Sequence, residues 1–316
     1  MAMKNILVIK HGALGDIIQA IDTFESLRLS FTQSRITLLT APAFAPLLAA
    51  SGWFDEVVTD PRKPIWHIQN SWRMAKLFKR PFDGIIDLQC SSRTAAYFKL
   101  TRPKTRWFGT VSGCSDPMPD FSGVNNRDRM MIAAQMAGAG AHIGTLDFLA
   151  DAPMEQAISL PARYCVFVAG SSRAKPSKRW PFASFAEVAR YSLAQSITPL
   201  LCGTAEDKEA NAAITAECPK AIDLTGQTSI ASLARLMAGA EFILGNDTGP
   251  VFLGARTNRP TLMVMGADTN PDMSAPTGKY ADYLFEAELS ELPPQKVWQK
   301  LQEIRQKVGQ KAGHKR

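Results

Sequence analysis

The residues with the clearest potential for chemistry are Gly-Asn-Asp-Thr-Gly-Pro at 245–250. They follow the mostly apolar run 240–244, which predicts a buried strand, and they precede 251–255, which can begin a helix. Glycines let backbone N–H groups approach a ligand closely, and a helix N-terminus offers unpaired donors and a partial positive charge. The pattern therefore predicts an anion site, with the Asp247 and Thr248 side chains directed at the bound group.

A second candidate anion site follows the strand predicted over 164–169. Gly170 and Ser171 come first, and a cluster of cations extends from Arg173 to Arg179. Small hydroxyl residues beside cations suit a phosphate group. We expect Ser171 and Lys178 to contact phosphate, and Trp180 to pack in the core.

Carboxylates at the ends of two other predicted strands admit two interpretations each. The first strand runs into a Gly12 turn and then Asp16, which is either a residue favoured by the helix dipole or a general base. The strand near Cys202 leads to Glu206 and Asp207, which either cap a helix or accept hydrogen bonds from sugar hydroxyls.

Several common cofactor and metal signatures are missing from the sequence. The turn at 12–16 lacks the three-glycine spacing of a dinucleotide site, and no Gly-Lys-Ser/Thr of a P-loop follows it. The five cysteines contain no C-x-x-C, and the four histidines have no metal-ligand spacing. We therefore expect neither a metal nor a cofactor.

Basic residues are concentrated in 61–110. This segment holds eleven Lys/Arg and two Asp, a net charge of +9, whereas the whole chain carries +7. Ile65, Ile68, Trp72 and Ala75 fall at helical spacing among these cations. The segment is either a solvated basic face on a core helix or a surface for lipid phosphate, membrane headgroups or nucleic acid. No stacking-aromatic motif or recognition module supports nucleic acid, so we expect no nucleic-acid partner.

Strands and helices alternate along both halves of the chain, which predicts α/β domains with parallel sheets. The length of 316 residues favours two domains. We place an N-terminal domain at 1–155 and a C-terminal domain at 156–316, facing each other across a ligand cleft. A last helix over about 294–308 is expected to pack back on the N-terminal domain. No apolar run is long enough to span a bilayer and no signal peptide is visible, so we expect a cytoplasmic protein.

The motifs, taken together and in order, resemble glycosyltransferase family 9, the ADP-heptose:lipopolysaccharide heptosyltransferases. The similar segments are the opening strand and turn at 6–16, Asp-Leu-Gln at 87–89 with Ser-Arg at 92–93, Lys-Arg-Trp-Pro at 178–181, Gly-Asn-Asp-Thr-Gly-Pro at 245–250, and the loop 266–278. The resemblance covers nearly the whole chain. It implies a GT-B fold with two doubly wound, Rossmann-like domains, in which the domain at 1–155 binds the acceptor and the domain at 156–316 binds the nucleotide sugar.

The resemblance also implies roles for particular residues. Asp16 would be the catalytic base, and Lys178 would hold the donor diphosphate. Asp247 would contact the donor sugar, while the amides near Thr248 and Gly249 receive phosphate. The remaining candidates implied in this way are Ser171 and Asp207 for the donor, with Glu206 one residue from the ribose position, and Gly12, Arg62, Lys63 and Arg93 for the acceptor.

The implied activity is inverting, metal-independent transfer of a sugar, by family default heptose from ADP-heptose, to an anionic glycolipid acceptor at the inner membrane surface. The sequence departs from the family pattern where Gln19 and Asp22 replace His and Pro, and where Phe252 replaces a His. Two alternatives remain open. One is a nucleotide-sugar epimerase or hydrolase on the same fold, and the other is a catalytically impaired nucleotide-sugar-binding protein.

Overall fold

The computed structural model describes residues 3–64, 66–101, 104–149, 158–171 and 176–312. The chain forms two compact units, Met1–Thr145 and Leu146–Arg316. The predicted domain boundary between 155 and 156 lies outside the described residues and stays a prediction.

The first unit is built on a sheet of six parallel strands. The strands are β1 (Asn5–Ile9), β2 (Arg35–Thr40), β3 (Glu56–Thr59), β4 (Gly84–Asp87), β5 (Arg106–Gly109) and β6 (Asp116–Pro117). The helices are α1 (Leu14–Gln19), α2 (Ile21–Ser30), α3 (Ala45–Ala49), α4 (Ile68–Phe78), α5 (Ser92–Phe98) and α6 (Asn126–Met136). The strand order is β3-β2-β1-β4-β5-β6, and Ile6 of β1 aligns with Ile36 on one side and Gly84 on the other.

The second unit repeats this plan. Its strands are β7 (Tyr164–Val168), β8 (Thr198–Leu201), β9 (Ile222–Asp223), β10 (Ile243–Asn246), β11 (Thr261–Met265) and β12 (Ala281–Phe285). Its helices are α7 (Phe182–Ala194), α8 (Lys208–Glu217), α9 (Ile230–Gly239), α10 (Gly249–Ala255), α11 (Pro271–Ser274) and α12 (Pro294–Ala312). The strands are again all parallel, in the order β12-β11-β10-β7-β8-β9.

Both strand orders are those of the doubly wound Rossmann arrangement, which confirms the predicted α/β class. In such sheets the order reverses between the first and fourth strands, and ligands bind beyond the carboxyl ends of the strands at that point. In the first unit the reversal lies between β1 and β4, and in the second it lies between β7 and β10. The segments that follow these four strands contain most of the candidate residues.

Burial explains why these segments form strands and helices. The central strands are continuous apolar runs because both faces of a parallel sheet are covered; Ile6 to Ile9 and Val166 to Phe167 have no exposed surface. Helix α4 contributes Met74, Leu77 and Phe78 to the core of the first unit.

Helix α12 packs against α7 and β11 of its own unit through Val297, Leu301 and Ile304. The expectation that it returns to the N-terminal domain stays a prediction.

Some elements carry too little sequence signal to be predicted. The edge strand β12 is only partly buried, so it lacks the apolar run that marks a central strand. Helix α6 was also not predicted, because its sequence NRDRMMIAAQM is polar along its first turn. No helix in the described part of the chain combines the length and the apolar character needed to cross a bilayer.

Candidate functional site

The turn after β1 holds Asp16 in place through a partner from a distant helix. Gly12 has φ of +81°, and a Cβ at this position would lie 2.6 Å from Ile17 Cγ1, so both conformation and space require glycine. The His11 and Gly12 amides donate to Gln89 Oε1 at 3.0 and 3.3 Å. Asp16 lies half-buried in the first turn of α1 and accepts from Asn126 Nδ2 at 2.9 Å.

This arrangement leaves both interpretations of Asp16 compatible with the structure. Its position in the first helical turn suits the dipole, and its second oxygen, Oδ2, takes no part in the hydrogen bond to Asn126. Sequence reasoning missed Asn126, because a residue 110 positions away gives no local signal.

Asp60, which follows β3, is the centre of a buried polar network that sequence reasoning also missed. Arg93 binds its two oxygens at 2.7 and 3.0 Å, and the Tyr97 hydroxyl donates to it. His11 Nε2 lies 3.3 Å from Oδ2, and the Arg62 amide donates to Oδ1 at 2.8 Å. Burial opposes ionisation of Asp60, but the hydrogen bonds outweigh it and hold the pKa of this carboxyl far below its usual range.

The acceptor candidates Arg62, Lys63 and Arg93 are brought together by this network. Arg93 also donates to the Lys63 carbonyl at 3.1 Å, so it clamps the segment 60–63. Arg62 adopts φ of +53°, an uncommon conformation for a residue with a side chain. Within the described part of the chain, neither Arg62 nor Lys63 forms an ion pair, and both are exposed. Their role in acceptor binding stays a prediction.

Two further ionisable groups lie buried beneath the turn. Lys10 is 1 % exposed, and its burial lowers its pKa although Asp16 opposes the shift. Asp87, at the end of β4, has its pKa raised by burial while the Gln89 and Cys90 amides donate to it.

In the second unit, Lys178 and Asp247 form an ion pair at the carboxyl ends of β7 and β10. Lys178 Nζ lies 2.5 Å from Asp247 Oδ2, and the two side chains are 15 % and 7 % exposed. The Thr269 hydroxyl donates to the same oxygen, a contact that the sequence did not reveal. Two residues 69 positions apart thus meet and form a charge-balanced pair. Their roles toward the donor diphosphate and the donor sugar stay predictions.

Asn246 anchors the segment that carries Lys178. Its side chain accepts from the Trp180 amide at 3.0 Å and donates to the Ala169 carbonyl at 2.6 Å. Trp180 is fully buried and donates its indole N–H to Leu292, so it packs in the core as expected. These bonds connect the ends of β7 and β10 to the residue expected to hold phosphate.

The predicted anion site lies at the turn that opens α10. Thr248 is the N-cap residue, and its side chain makes no capping hydrogen bond. Gly249 is the first residue of the helix, so its amide has no partner within the helix, whereas Pro250 has no N–H and the Val251 amide donates to the Thr248 carbonyl at 3.0 Å. Binding of an anion at this turn stays a prediction. Ser171 is 8 % exposed, and within the described residues its hydroxyl has no hydrogen-bond partner. The first part of the predicted cation cluster, Arg173 to Lys175, lies outside the described residues.

Asp207 performs the capping role that was one of its two interpretations. Its Oδ2 accepts from the Thr204 amide at 2.7 Å and from the Thr204 hydroxyl at 3.1 Å. A Cβ on Gly170 would lie 1.8 Å from Asp207 Oδ1, so this carboxylate lies directly against the end of β7. Glu206 is exposed. The ribose-binding role of Asp207 stays a prediction.

Two of the residues that depart from the family pattern, Asp22 and Phe252, are buried in the fold. Asp22 is 1 % exposed and pairs with Arg127 at 2.6 Å. Phe252 is 6 % exposed and packs inside its unit. Among the described residues, no group of three or more His, Cys, Asp or Glu has an arrangement that could hold a metal ion.

The two doubly wound units are those of the GT-B glycosyltransferase fold. A family model for glycosyltransferase family 9 (heptosyltransferase) matches residues 128–304, more than half of the chain. The chain therefore belongs to glycosyltransferase family 9, and the resemblance drawn from its motifs is confirmed.

Individual relatives agree with this assignment. The chain is 22 % identical to lipooligosaccharide heptosyltransferase 2 of Haemophilus influenzae over 90 % of each chain. It is similar to the structure of Escherichia coli ADP-heptose lps heptosyltransferase II, with a TM-score of 0.78, 20 % identity, and 96 % and 99 % of the two chains covered. A glycosyltransferase of family 9 from Veillonella parvula gives a TM-score of 0.81 at 21 % identity, covering 96 % and 97 %.

Proposed function

We propose that this glycosyltransferase transfers heptose from ADP-heptose to an anionic lipopolysaccharide-core glycolipid, with inversion at the anomeric carbon and without a metal ion. The observation that carries the proposal is the Lys178–Asp247–Thr269 cluster next to the Thr248–Gly249 turn that begins α10. The names of the relatives support the donor and the acceptor class. The enzyme would act in the cytoplasm, with peripheral contact to the inner membrane surface.

The donor would bind to the second unit. Lys178 and the amides near Gly249 are suited to a diphosphate, because fixed cations and helix-terminal donors stabilise the negative charge that grows on the leaving group. Asp247 carries a carboxylate that can accept from sugar hydroxyls. The buried hydroxyl of Ser171 adds a donor at the end of β7.

The acceptor would bind to the first unit, where Arg62 and Lys63 present to phosphate or carboxylate groups a positive charge that none of the described residues neutralises. Asp16 would remove the proton from the attacking hydroxyl. Asn126 fixes the orientation of this carboxylate through Oδ1, which leaves Oδ2 for the proton. Gly12 would let the acceptor approach the turn closely.

The test is Asp16→Asn, which retains an oxygen for Asn126 but removes the base. We expect kcat for transfer to fall by about 10²- to 10⁴-fold, the usual contribution of a general base, while the affinity for ADP stays unchanged. Sugar transfer from ADP-heptose to a truncated lipopolysaccharide-core acceptor is measured by mass spectrometry.

The matched control is Asp128→Ala, which removes an exposed acid from the first turn of α6 and should keep full activity. If Asp16→Asn retains most of the transfer rate, Asp16 is not the base. Consumption of ADP-heptose without acceptor would instead indicate an epimerase or a hydrolase, and ADP-heptose binding without turnover would indicate an impaired binding protein.

A further inference from the structure

Helix α4 has two apolar faces, and only one of them is buried. Met74, Leu77 and Phe78 pack in the core of the first unit. On another side of the helix, Ile68 is 81 % exposed and Trp72, one turn later, is 66 % exposed. The helical spacing of Ile68, Trp72 and Ala75 therefore marks an outer face, although such spacing usually indicates a core face.

Trp66, immediately before α4, is 81 % exposed and extends this outer face. Large apolar side chains that lie together on the surface commonly mark an interaction site. We call Trp66, Ile68 and Trp72 the apolar edge.

A groove of about 740 Å³ lies beside the apolar edge, between α4 and α5. Its walls are mostly apolar, and they include Trp72 and Ala75 from α4 and Ala96, Tyr97 and Leu100 from the α5 side. The shape and chemistry suit an unbranched hydrocarbon chain. Lys63 and Arg93 lie at its polar side.

Two exposed cations lie beside the apolar edge. Lys76 lies one turn beyond Trp72, with its Nζ 5.4 Å from the centre of the indole ring, and Lys79 follows on the next turn. Both are exposed, and neither forms an ion pair with any residue that the structure describes. The acidic residues of the segment do not neutralise them, since Asp87 is buried and Asp83 accepts from the amides of Lys4 and Asn5.

We propose that this surface docks the protein on an anionic lipid bilayer, with the apolar edge inserted among the headgroups and one phospholipid acyl chain in the α4–α5 groove. Aromatic and aliphatic side chains next to cations are the composition of interfacial membrane-binding helices. Positive charge is attracted to anionic leaflets. A second copy of the chain fits poorly, because a two-fold contact would oppose the same cations.

This inference rests on the peripheral membrane contact in the proposed function, and it names the surface that makes this contact. Its test uses vesicles without glycolipid and without sugar donor, so that docking and transfer can fail separately. The full chain is sedimented with vesicles of phosphatidylcholine alone and with an equal mixture of phosphatidylcholine and phosphatidylglycerol, at low and high salt. Binding is expected to the anionic vesicles and to weaken in high salt.

Two double variants divide the surface. Trp66→Ser combined with Trp72→Ser should weaken binding to anionic vesicles by about 100-fold, or about tenfold per tryptophan, since each buried apolar side chain contributes about that factor. Lys76→Gln combined with Lys79→Gln should weaken it by about 25-fold, or about fivefold per lysine. Ile143→Ser, at another exposed apolar residue, and Lys220→Gln, at an exposed lysine of the second unit, are the matched controls and should bind as the unmodified protein does.

The groove is tested with lysophosphatidylglycerol below its micelle concentration. Ala96→Trp fills the groove and should reduce the affinity for this single-chain probe by at least about tenfold, whereas Ala212→Trp, on the exposed side of α8, should leave it unchanged. Circular dichroism confirms that each variant is folded.

Several outcomes would overturn the proposal. If the unmodified protein does not bind anionic vesicles, the chain has no docking surface of this kind. If the control variants lose as much affinity for the vesicles as the tryptophan and lysine variants do, the docking surface does not lie at the apolar edge. If Ala96→Trp binds lysophosphatidylglycerol as tightly as the unmodified protein does, the groove does not take the acyl chain. A dimer in light scattering that Trp72→Ser dissociates would show that the apolar edge is a protein interface.

Discussion

Replacing Asp247 with Asn tests whether the free protein holds Lys178 away from phosphate. Lys178 Nζ and Asp247 Oδ2 are 2.5 Å apart, and both side chains are mostly shielded from water. A diphosphate that binds Lys178 must compete with this carboxylate. Asp247→Asn removes the competing charge but keeps an oxygen that can accept from Thr269. ADP should therefore bind more tightly to this variant than to the unmodified protein.

The magnitude follows from the contribution of the pair. A hydrogen bond between charged groups contributes about 1.5–3 kcal/mol, which corresponds to about 10- to 150-fold in a dissociation constant. The amide oxygen retains part of the interaction, so we expect ADP to bind about tenfold more tightly. Lys178→Met should weaken ADP binding by a similar factor or more. Sugar transfer by Asp247→Asn should nevertheless fall, because the donor sugar loses a carboxylate acceptor.

Isothermal titration calorimetry with ADP measures the affinities, and thermal unfolding checks the fold of each variant. The matched control is the pair Lys300–Asp282 in the same unit, at 2.7 Å, whose side chains are 27 % and 30 % exposed. Lys300→Met and Asp282→Asn should leave ADP affinity unchanged. Weaker ADP binding by Asp247→Asn would refute the reasoning, because it would show that the carboxylate assists phosphate binding.

Two further predictions concern stability. Asp60→Asn should destabilise the protein at pH 7 by about 3–5 kcal/mol, since it leaves the Arg93 charge without its partner. The lowered pKa of Asp60 means that its stabilisation is present above the unfolded value of about 3.9 and is lost as the pH falls below it. In urea unfolding, the free energies of unfolding of the unmodified protein and of Asp60→Asn should therefore converge as the pH falls below about 4. A difference that stays constant down to about pH 3 would contradict this. Gly170→Ala should lower the free energy of unfolding by about 0.5–2 kcal/mol, because it displaces the capping carboxylate of Asp207. In an Asp207→Ala background the same change should cost almost nothing. If the costs of the two changes in thermal unfolding are additive, the contact between Gly170 and Asp207 is not important.

Much of the architecture could be predicted from the sequence, because central strands and strand-to-helix turns depend on local patterns of residues. The apolar runs at Ile6 to Ile9 and at 164–168 predict central parallel strands, since both faces of such strands are buried. The glycine turns after β1 and before α10 mark strand-to-helix connections. The edge strand β12 was not predicted, because partial burial removes the apolar signal on which strand prediction depends.

The residues of the candidate site also fall into two groups, those that local motifs predicted and those that only the fold revealed. Asp16, Lys178 and Asp247 stand in motifs whose residue types and order indicate donor and acid–base chemistry. Their partners Asn126 and Thr269 had no signal, because each lies on an element that only the fold brings close. For Asp207, local sequence allowed capping or sugar binding, and the structure shows the capping bonds.

Local sequence patterns were enough to predict the family, the alternation of strands and helices, and the types of residue that end the central strands. Which charges are neutralised follows from the tertiary structure instead. It pairs Arg93 with Asp60 and Lys178 with Asp247, and it leaves Lys76 and Lys79 exposed beside Trp72. The physical reason is that helical or strand spacing is local, whereas burial and ion pairing depend on distances between residues far apart in the chain.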